Sequence, residues 1–376
     1  MSSKKEIRFA IIGCGFMGKT HMLAYRDLPL LYDLDFKIKP VGVCNRSLDK
    51  AQWFKDNFDF EFATSNEDDI FARKDIDVVH ICTPNNLHTQ EIIKALDAKK
   101  NIYCEKPLIS SAGDIAKIAK HPNLEKVTSQ VVFHNRFYPA VMRAKELVES
   151  GALGRVLSFR GQMLHDSSVD KNKPASWRNT AAAEGGVIYD LGSHISDMIY
   201  FLLGGFESVY AKNQIAYPVR KDENGKEVKI EMEDASYCLA KLKNGAVGTI
   251  ESTKLATGKP GNPKLEIHGE KGAIIIDIIN PNFVEYYDNA APKTPHGGLR
   301  GFTKIQTVQF YDEAVFPPGN HTLGFLRAHT DCLYKFLDCV SKGAQASPSI
   351  KDGLYVQSVL EAMHKSAKEG KEIILR

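Results

Sequence analysis

Residues 7–18 read IRFAIIGCGFMG. Ile7, Phe9, Ala10, Ile11 and Ile12 make a short apolar run, interrupted by Arg8, that predicts a buried strand. Gly13, Gly15 and Gly18 then form a GxGxxG turn that opens a helix-like stretch to about Leu28. Each glycine has a physical reason to be there. The first permits the tight turn, the second lets backbone approach a pyrophosphate, and the third lets helix and strand pack closely. The helix N-terminus adds N–H groups and a partial positive charge. Strand, glycine turn and helix together predict a dinucleotide whose pyrophosphate lies over Gly13 to Met17, with Phe16 and Met17 at the helix start.

Strand and helix alternate onward from this unit. Residues 40–44, 77–82 and 101–104 read as strands, with helical spacing at 49–58 and 88–98. Short loops between such elements predict a parallel sheet covered on both faces, a Rossmann domain over residues 1–133. From about residue 152 the pattern changes. Strand-like segments follow one another at 155–163, 208–219, 235–243, 246–255, 264–268, 273–278 and 304–310, with Asn244-Gly245 as a hairpin turn. Helices are expected at 138–150, 190–203, 325–341 and 352–368, and a closing strand at 372–375. Residues 134–376 are therefore expected to be an α/β domain with a large, open, mostly antiparallel sheet for substrate binding and oligomerisation. Residues 289–301 read as its most mobile loop.

Composition narrows the class. The 376 residues suit two domains, and 43% hydrophobic with 25% charged residues is ordinary for a globular enzyme. A formal net charge of +3 without a basic stripe or acidic tail gives no footprint for nucleic acid or a membrane surface. No run approaches the roughly 18 apolar residues of a membrane span, and the N-terminus lacks a secretory pattern. Seven cysteines without a CxxC pair argue against a disulfide framework or a zinc cluster, so a cytoplasmic location and no metal are expected.

The second strand ends in Val43-Cys44-Asn45-Arg46-Ser47, where the dinucleotide fingerprint usually places an acid. Asn45 can hydrogen-bond a ribose 2′-hydroxyl, and Arg46 with Ser47 can receive a 2′-phosphate. Both NAD and NADP stay open. Further on, Glu105-Lys106-Pro107 stands at the end of a strand, where ligands of such sheets bind. Later still comes Gly185-Gly186-Val187-Ile188-Tyr189-Asp190-Leu191-Gly192-Ser193-His194-Ile195-Ser196-Asp197. On a helix, Asp190, His194 and Asp197 share one face, at the edge of the apolar stripe Leu191, Ile195, Met198 and Leu202.

In combination these motifs are specific. The sequence resembles the glucose–fructose oxidoreductase, inositol dehydrogenase and MocA family from residue 7 to about 372. The residues that carry the likeness are Gly13 to Gly18, Thr83-Pro84-Asn85 with His88, Glu105-Lys106-Pro107, Asn135-Arg136-Phe137, and Gly186 through Asp190 to His194 and Asp197. The Gly269 to Gly272 turn and the Asp352-Gly353-Leu354 helix start add to it. The departure is Asn45, where many NAD-using members carry an acid. The resemblance implies oxidation or reduction of a secondary alcohol of a sugar, glycoside, anhydrosugar or inositol, with NAD slightly favoured over NADP. It implies self-association to a dimer or tetramer through the open sheet face. Lys106, Asp190 and His194 match the family's catalytic positions. Thr83, Pro84, Asn85, His88, Glu105 and Lys106 fall among its cofactor residues.

The chemistry then assigns roles. Hydride leaves carbon for the nicotinamide while the hydroxyl proton goes to a base. An imidazole with an ordinary pKa of about 6.5 suits that task, so His194 is read as base in oxidation and acid in reduction. A Lys106 ammonium would stabilise developing alkoxide charge, and Asp190 would orient the imidazole or bind a neighbouring hydroxyl. The reverse assignment, Lys106 as base and His194 as polariser, fits the same residues. Arg136, Asp166, Trp177, Arg178, His321 and His329 are weaker candidates for the substrate pocket. For Arg136 the alternative is a structural ion pair, and for Trp177 a core position. Redox-neutral glycoside cleavage and non-catalytic dinucleotide binding are the competing functions.

Overall fold

The computed structural model describes residues 4–109, 112–175 and 185–375. Candidate residues Trp177 and Arg178 lie outside them. The chain separates into two compact units, and the division is not a single cut. Residues 1–134, 311–318 and 324–355 form the first unit, and 135–310, 319–323 and 356–376 the second. The stretch expected as one C-terminal domain thus returns two segments to the N-terminal unit.

In the first unit, strands β1 (Lys5–Ile12), β2 (Phe36–Cys44), β3 (Phe62–Thr64), β4 (Val78–Ile81), β5 (Asn101–Cys104) and β6 (Ser129–Val131) form a parallel sheet of order β3-β2-β1-β4-β5-β6. Helices α1 (Phe16–Leu31), α2 (Leu48–Phe58), α3 (Asp68–Phe71), α4 (Asn85–Asp97) and α5 (Ala112–Ala119) connect the strands. All four residues of β4 are buried, as a central parallel strand covered on both faces requires. Residues 311–318 dock on the end of α1, where Val315 N–H donates to the Leu31 carbonyl.

The second unit opens with α6 (Pro139–Glu149), β7 (Val156–Leu164) and α7 (Ser193–Leu203). Its sheet continues through β8 (Phe206–Gln214), with a separate small hairpin of β9 (Val219–Lys221) and β10 (Glu227–Lys229). Then follow β11 (Ala235–Leu242), β12 (Val247–Thr253), β13 (Asn262–Gly269), β14 (Gly272–Asp277), β15 (Phe283–Asp288) and β16 (Thr303–Gln306). Helix α8 (Phe325–Lys342) belongs to the first unit, where Tyr32 at the end of α1 stacks on Tyr334 at 3.8 Å and donates to Asp331 at 2.6 Å. Helix α9 (Ile350–Glu369) starts in the first unit and ends in the second, before β17 (Ile373–Ile374). The nine-stranded sheet has the order β16-β15-β14-β13-β7-β12-β11-β8-β17.

The expected strand 208–219 ends at Gln214, and strand β15 was not foreseen. Its FVEYYD has apolar residues in both parities, so period-two reading gives no signal. The sheet is antiparallel except between β7 and β12. One face, carrying Val209, Cys238, Ile250, Phe159, Leu265 and Ile276, is the buried core. Helix α7 lies on it so closely that a Cβ at Gly161 would meet Ile195 at 2.8 Å. The other face exposes Tyr210, Tyr237, Leu239 and Val247, but among Arg160, Lys212 and Lys241. It is mixed rather than simply apolar.

Candidate active site

In the first unit the glycine turn sits at the carboxyl end of β1. Gly13 has φ +103°, and a Cβ there would lie 2.5 Å from the Cys82 carbonyl oxygen. A Cβ at Gly18 would strike the Gly13 carbonyl, whereas one at Gly15 would meet nothing within 4 Å. Gly15 is thus the open position over which a phosphate can approach. Helix α1 begins there with no acidic residue in its first turn and no side-chain cap on its N–H groups, so backbone donors face that opening. The residues present fit the pyrophosphate of a dinucleotide. Phe16 is exposed beside the opening and Met17 half-buried.

Asn45 contacts the glycine turn itself. Its Oδ1 accepts the Cys14 N–H at 3.2 Å and its Nδ2 donates to the Ser47 carbonyl at 3.1 Å, so the amide ties the glycine turn to the end of β2. Arg46 is exposed. Thr83, half-buried after β4, donates its hydroxyl to Glu91, a buried carboxyl that desolvation pushes up to about 8. Pro84 caps α4 and Asn85 begins it. His88, expected at the cofactor, is fully buried. Its Nδ1 lies 2.9 Å from the Pro107 carbonyl and its Nε2 3.0 Å from the Thr83 carbonyl. It is a strut between the Thr83-Pro84-Asn85 and Glu105-Lys106-Pro107 turns. Glu105 is buried and accepts the backbone N–H of Lys106 at 3.3 Å, while the Lys106 side chain is half-buried. His329, on α8, is buried and stacks on His134 at 4.0 Å, and burial pushes its imidazole well below the usual range.

In the second unit the Asp190 segment is not a continuous α-helix. Ile188–Gly192 form a π turn ahead of α7, which breaks the expected i, i+4 row. Asp190 turns to a cavity of about 500 Å³ and pairs with Lys254 at 2.8 Å. His194 and Asp197 are buried on α7. Asp197, expected at a helix edge, is wholly buried and receives Arg136 in a two-pronged pair, Nε to Oδ2 at 2.9 Å and Nη2 to Oδ1 at 2.6 Å. Of the two readings of Arg136, the structure makes the ion pair.

The cavity is also lined by His165, Ser168, Arg220 and Glu233. Sequence reading pointed to the loop from His165 to Arg178 as a whole, but singled out none of these four residues. His165 and Ser168 meet Lys254 because β7 and β12 run parallel and end together. His165 N–H donates to the Thr253 carbonyl and Ser168 N–H to the Lys254 carbonyl. That pairing joins segments far apart in sequence, and no local pattern announces it. Asp166 is not among the lining residues, and its carboxylate lies 3.7 Å from His165. His321 is exposed.

Glu233 explains the glycine before the π turn. Gly186 has φ +88°, and a Cβ there would lie 2.5 Å from Glu233 Oε1, which accepts the Ile188 N–H at 2.9 Å. Desolvation raises the Glu233 carboxyl from 4.5 to about 7. Below pH 4.5 it is protonated in the folded and unfolded chain alike. Between 4.5 and about 7 the unfolded chain gives up the proton while the folded one keeps it, so this contribution to stability is lost as pH rises through that window. Glu233→Gln keeps an acceptor for Ile188 and cannot ionise. Relative to wild type it should gain on the order of 2–3 kcal/mol between pH 4.5 and 8. Denaturant unfolding at both pH values checks this, and a difference independent of pH would refute it.

The parallel sheet, glycine turn and phosphate-accepting helix start define a dinucleotide-binding α/β oxidoreductase. Residues 7–133 match the oxidoreductase family with NAD-binding Rossmann fold, and residues 141–275 the GFO/IDH/MocA C-terminal domain. The chain belongs to the GFO/IDH/MocA family. It is 31% identical over 383 residues to a levoglucosan dehydrogenase of Pseudarthrobacter phenanthrenivorans, covering 96% of each chain. To an inositol 2-dehydrogenase of Rhizobium meliloti it is 26% identical over 368 residues, covering 98% of each. A solved levoglucosan dehydrogenase in complex with NADH and levoglucosan superposes with a TM-score of 0.92 at 31% identity, covering 99% of this chain and 100% of the other. The protein is an NAD-binding oxidoreductase of the sugar and polyol dehydrogenase class.

Proposed function

We propose that this protein oxidises a ring hydroxyl of a cyclic sugar or anhydrosugar, with NAD rather than NADP as hydride acceptor. The observation that carries the substrate class is the cavity of the second unit. Its wall combines the Asp190–Lys254 pair with His165, Ser168, Arg220 and Glu233, a set rich in donors and acceptors for adjacent hydroxyls. The likeness to levoglucosan dehydrogenase supports an anhydrosugar over an inositol. Asn45, turned onto the glycine loop, leaves Arg46 as the nearby candidate for a 2′-phosphate, and the relative solved with NADH supports NAD.

NAD supplies the hydride acceptor. The backbone of Gly13 to Met17 would hold its pyrophosphate. His194 takes the hydroxyl proton, the Lys106 ammonium stabilises charge on the reacting oxygen, and Asp190 binds a hydroxyl of the sugar. The reverse assignment has Lys106 as base and His194 as polariser. Formation of reduced nicotinamide across anhydrosugars, glycosides and inositols, run with both cofactors, tests the function. Turnover with an anhydrosugar and NAD is expected, and no reduction with any of them would refute it.

The mixed sheet face of Tyr210, Tyr237, Leu239 and Val247 supports a homodimer or homotetramer, since an exposed patch of this kind fits a second copy. Light scattering at micromolar concentration should give a multiple of 41.8 kDa. A monomer would count against this face as an interface. Seven free thiols support a cytoplasmic enzyme, since a reducing compartment keeps cysteines unpaired.

A further inference from the structure

The first unit encloses four hydrogen-bonding side chains that the proposed mechanism does not use as reactants. Tyr25 on α1 lies with its hydroxyl 2.6 Å from His80 Nε2, on β4. His80 Nδ1 is 3.1 Å from His21 Nδ1, and His21 Nε2 is 2.9 Å from Glu105 Oε1. Cys82 Sγ lies 3.2 Å from the same His21 Nδ1. Tyr25, His80, His21 and Glu105 are all buried, and aromatic rings close around them: Phe9 stacks on Tyr25 at 3.9 Å, and Tyr103 packs on both imidazoles.

Hydrogen-bond bookkeeping gives the chain one direction. A neutral imidazole has one donor and one acceptor nitrogen. If Tyr25 donates to His80 Nε2, His80 Nδ1–H donates to His21 Nδ1, and His21 Nε2–H donates to the Glu105 carboxylate. Every nitrogen is then satisfied, and the Cys82 thiol lies against His21 Nδ1 without being needed as its donor. In the reverse direction His21 would turn a lone pair toward the carboxylate. Burial keeps the partners neutral, since it pushes His80 well below and Tyr25 and Cys82 well above their ordinary ranges.

We infer that His21 is a positioning residue for the reaction, its tautomer fixed by His80 and Tyr25 so that it holds the Glu105 carboxylate and with it the turn that carries Lys106. Glu105 joins the two ends of this device. One oxygen takes the His21 proton donor, and the other takes the Lys106 backbone N–H. The inference rests on the proposed role of Lys106. It adds that the aim of Lys106 depends on a row of hydrogen-bonded side chains behind the sheet ends, as partners behind an active-site histidine fix its ring and tautomer.

Two measurements test it. Nitrogen-15 spectra of the imidazoles in the unliganded enzyme should show His21 protonated at Nε2 alone and His80 at Nδ1 alone. Protonation of His21 at Nδ1 overturns the inference whatever the substrate proves to be. In turnover, His21→Phe fills the ring's place without the donor. It should lower kcat about ten-fold, the lower end of what losing such a partner costs, with KM and the NAD affinity little changed. His21→Gln, whose amide can again donate to Glu105, should recover most of the loss and covers the case in which His21→Phe fails to fold. A His21→Phe or His21→Gln enzyme that folds and shows, respectively, wild-type kcat or no recovery overturns it. Expected tautomers in an enzyme that oxidises no sugar would instead refute the proposed function.

Discussion

Lys106→Ala is expected to lower kcat by about 10²-fold or more, because it removes both a positive charge and a donor from the reacting oxygen. The structure gives reasons to expect the backbone to survive the change. The turn is held from outside the lysine side chain, by Glu105 on the Lys106 N–H and by His88 against the Pro107 carbonyl. The loss should therefore appear in turnover and not in thermal stability. Lys106→Arg then separates the two mechanisms. Arginine keeps the charge and the donors but cannot give up its proton near neutral pH. If His194 is the base and Lys106 the polariser, arginine should recover a substantial part of the rate. If Lys106 is the base, arginine should be as poor as alanine. Steady-state formation of reduced nicotinamide decides it, and a Lys106→Ala enzyme with near-native kcat would remove Lys106 from the chemistry.

The parts of this molecule that were legible in the sequence are those set by short-range rules. Four of the six parallel strands followed from apolar runs and short loops, and the glycine turn from the spacing of Gly13, Gly15 and Gly18, whereas the three-residue edge strands β3 and β6 are too short to give a pattern. Elements whose identity depends on distant partners were not. The π turn at Ile188–Gly192 is imposed where Glu233, 45 residues away, reaches under Gly186 to accept the Ile188 N–H. The cavity's Lys254 and His165 come together only because β7 and β12 pair in parallel. Arg136 and His88 were visible as polar residues in family motifs. Their partners, Asp197 and two backbone carbonyls, could be known only from the fold. The same holds for His21, whose significance lies in contacts 59 and 84 residues distant along the chain. Motifs thus announced which residue types matter, while tertiary pairing decided which of them carry the architecture.

His194→Ala should cost about 10²- to 10⁴-fold in kcat, the range for a lost general acid or base, and should leave NAD affinity nearly unchanged. The second half of that expectation follows from the fold. The pyrophosphate cradle of Gly13 to Met17 belongs to the first unit, whereas His194 is carried by α7 in the second. Because His194 is buried, alanine also leaves a void, which by itself costs stability and lowers the rate of the sample. His194→Gln separates these effects. It fills most of the volume and keeps a hydrogen-bonding head, but its amide cannot accept a proton at neutral pH. If His194 is the base, glutamine should restore thermal stability and leave kcat near the alanine value. If His194 only packs α7 against the sheet, stability and rate should recover together. Calorimetric NAD binding, thermal unfolding and turnover on the preferred sugar, measured for both variants, distinguish the cases. Near-native kcat in His194→Ala would leave Lys106 as the remaining candidate for the base and reduce the role of His194 to packing within α7.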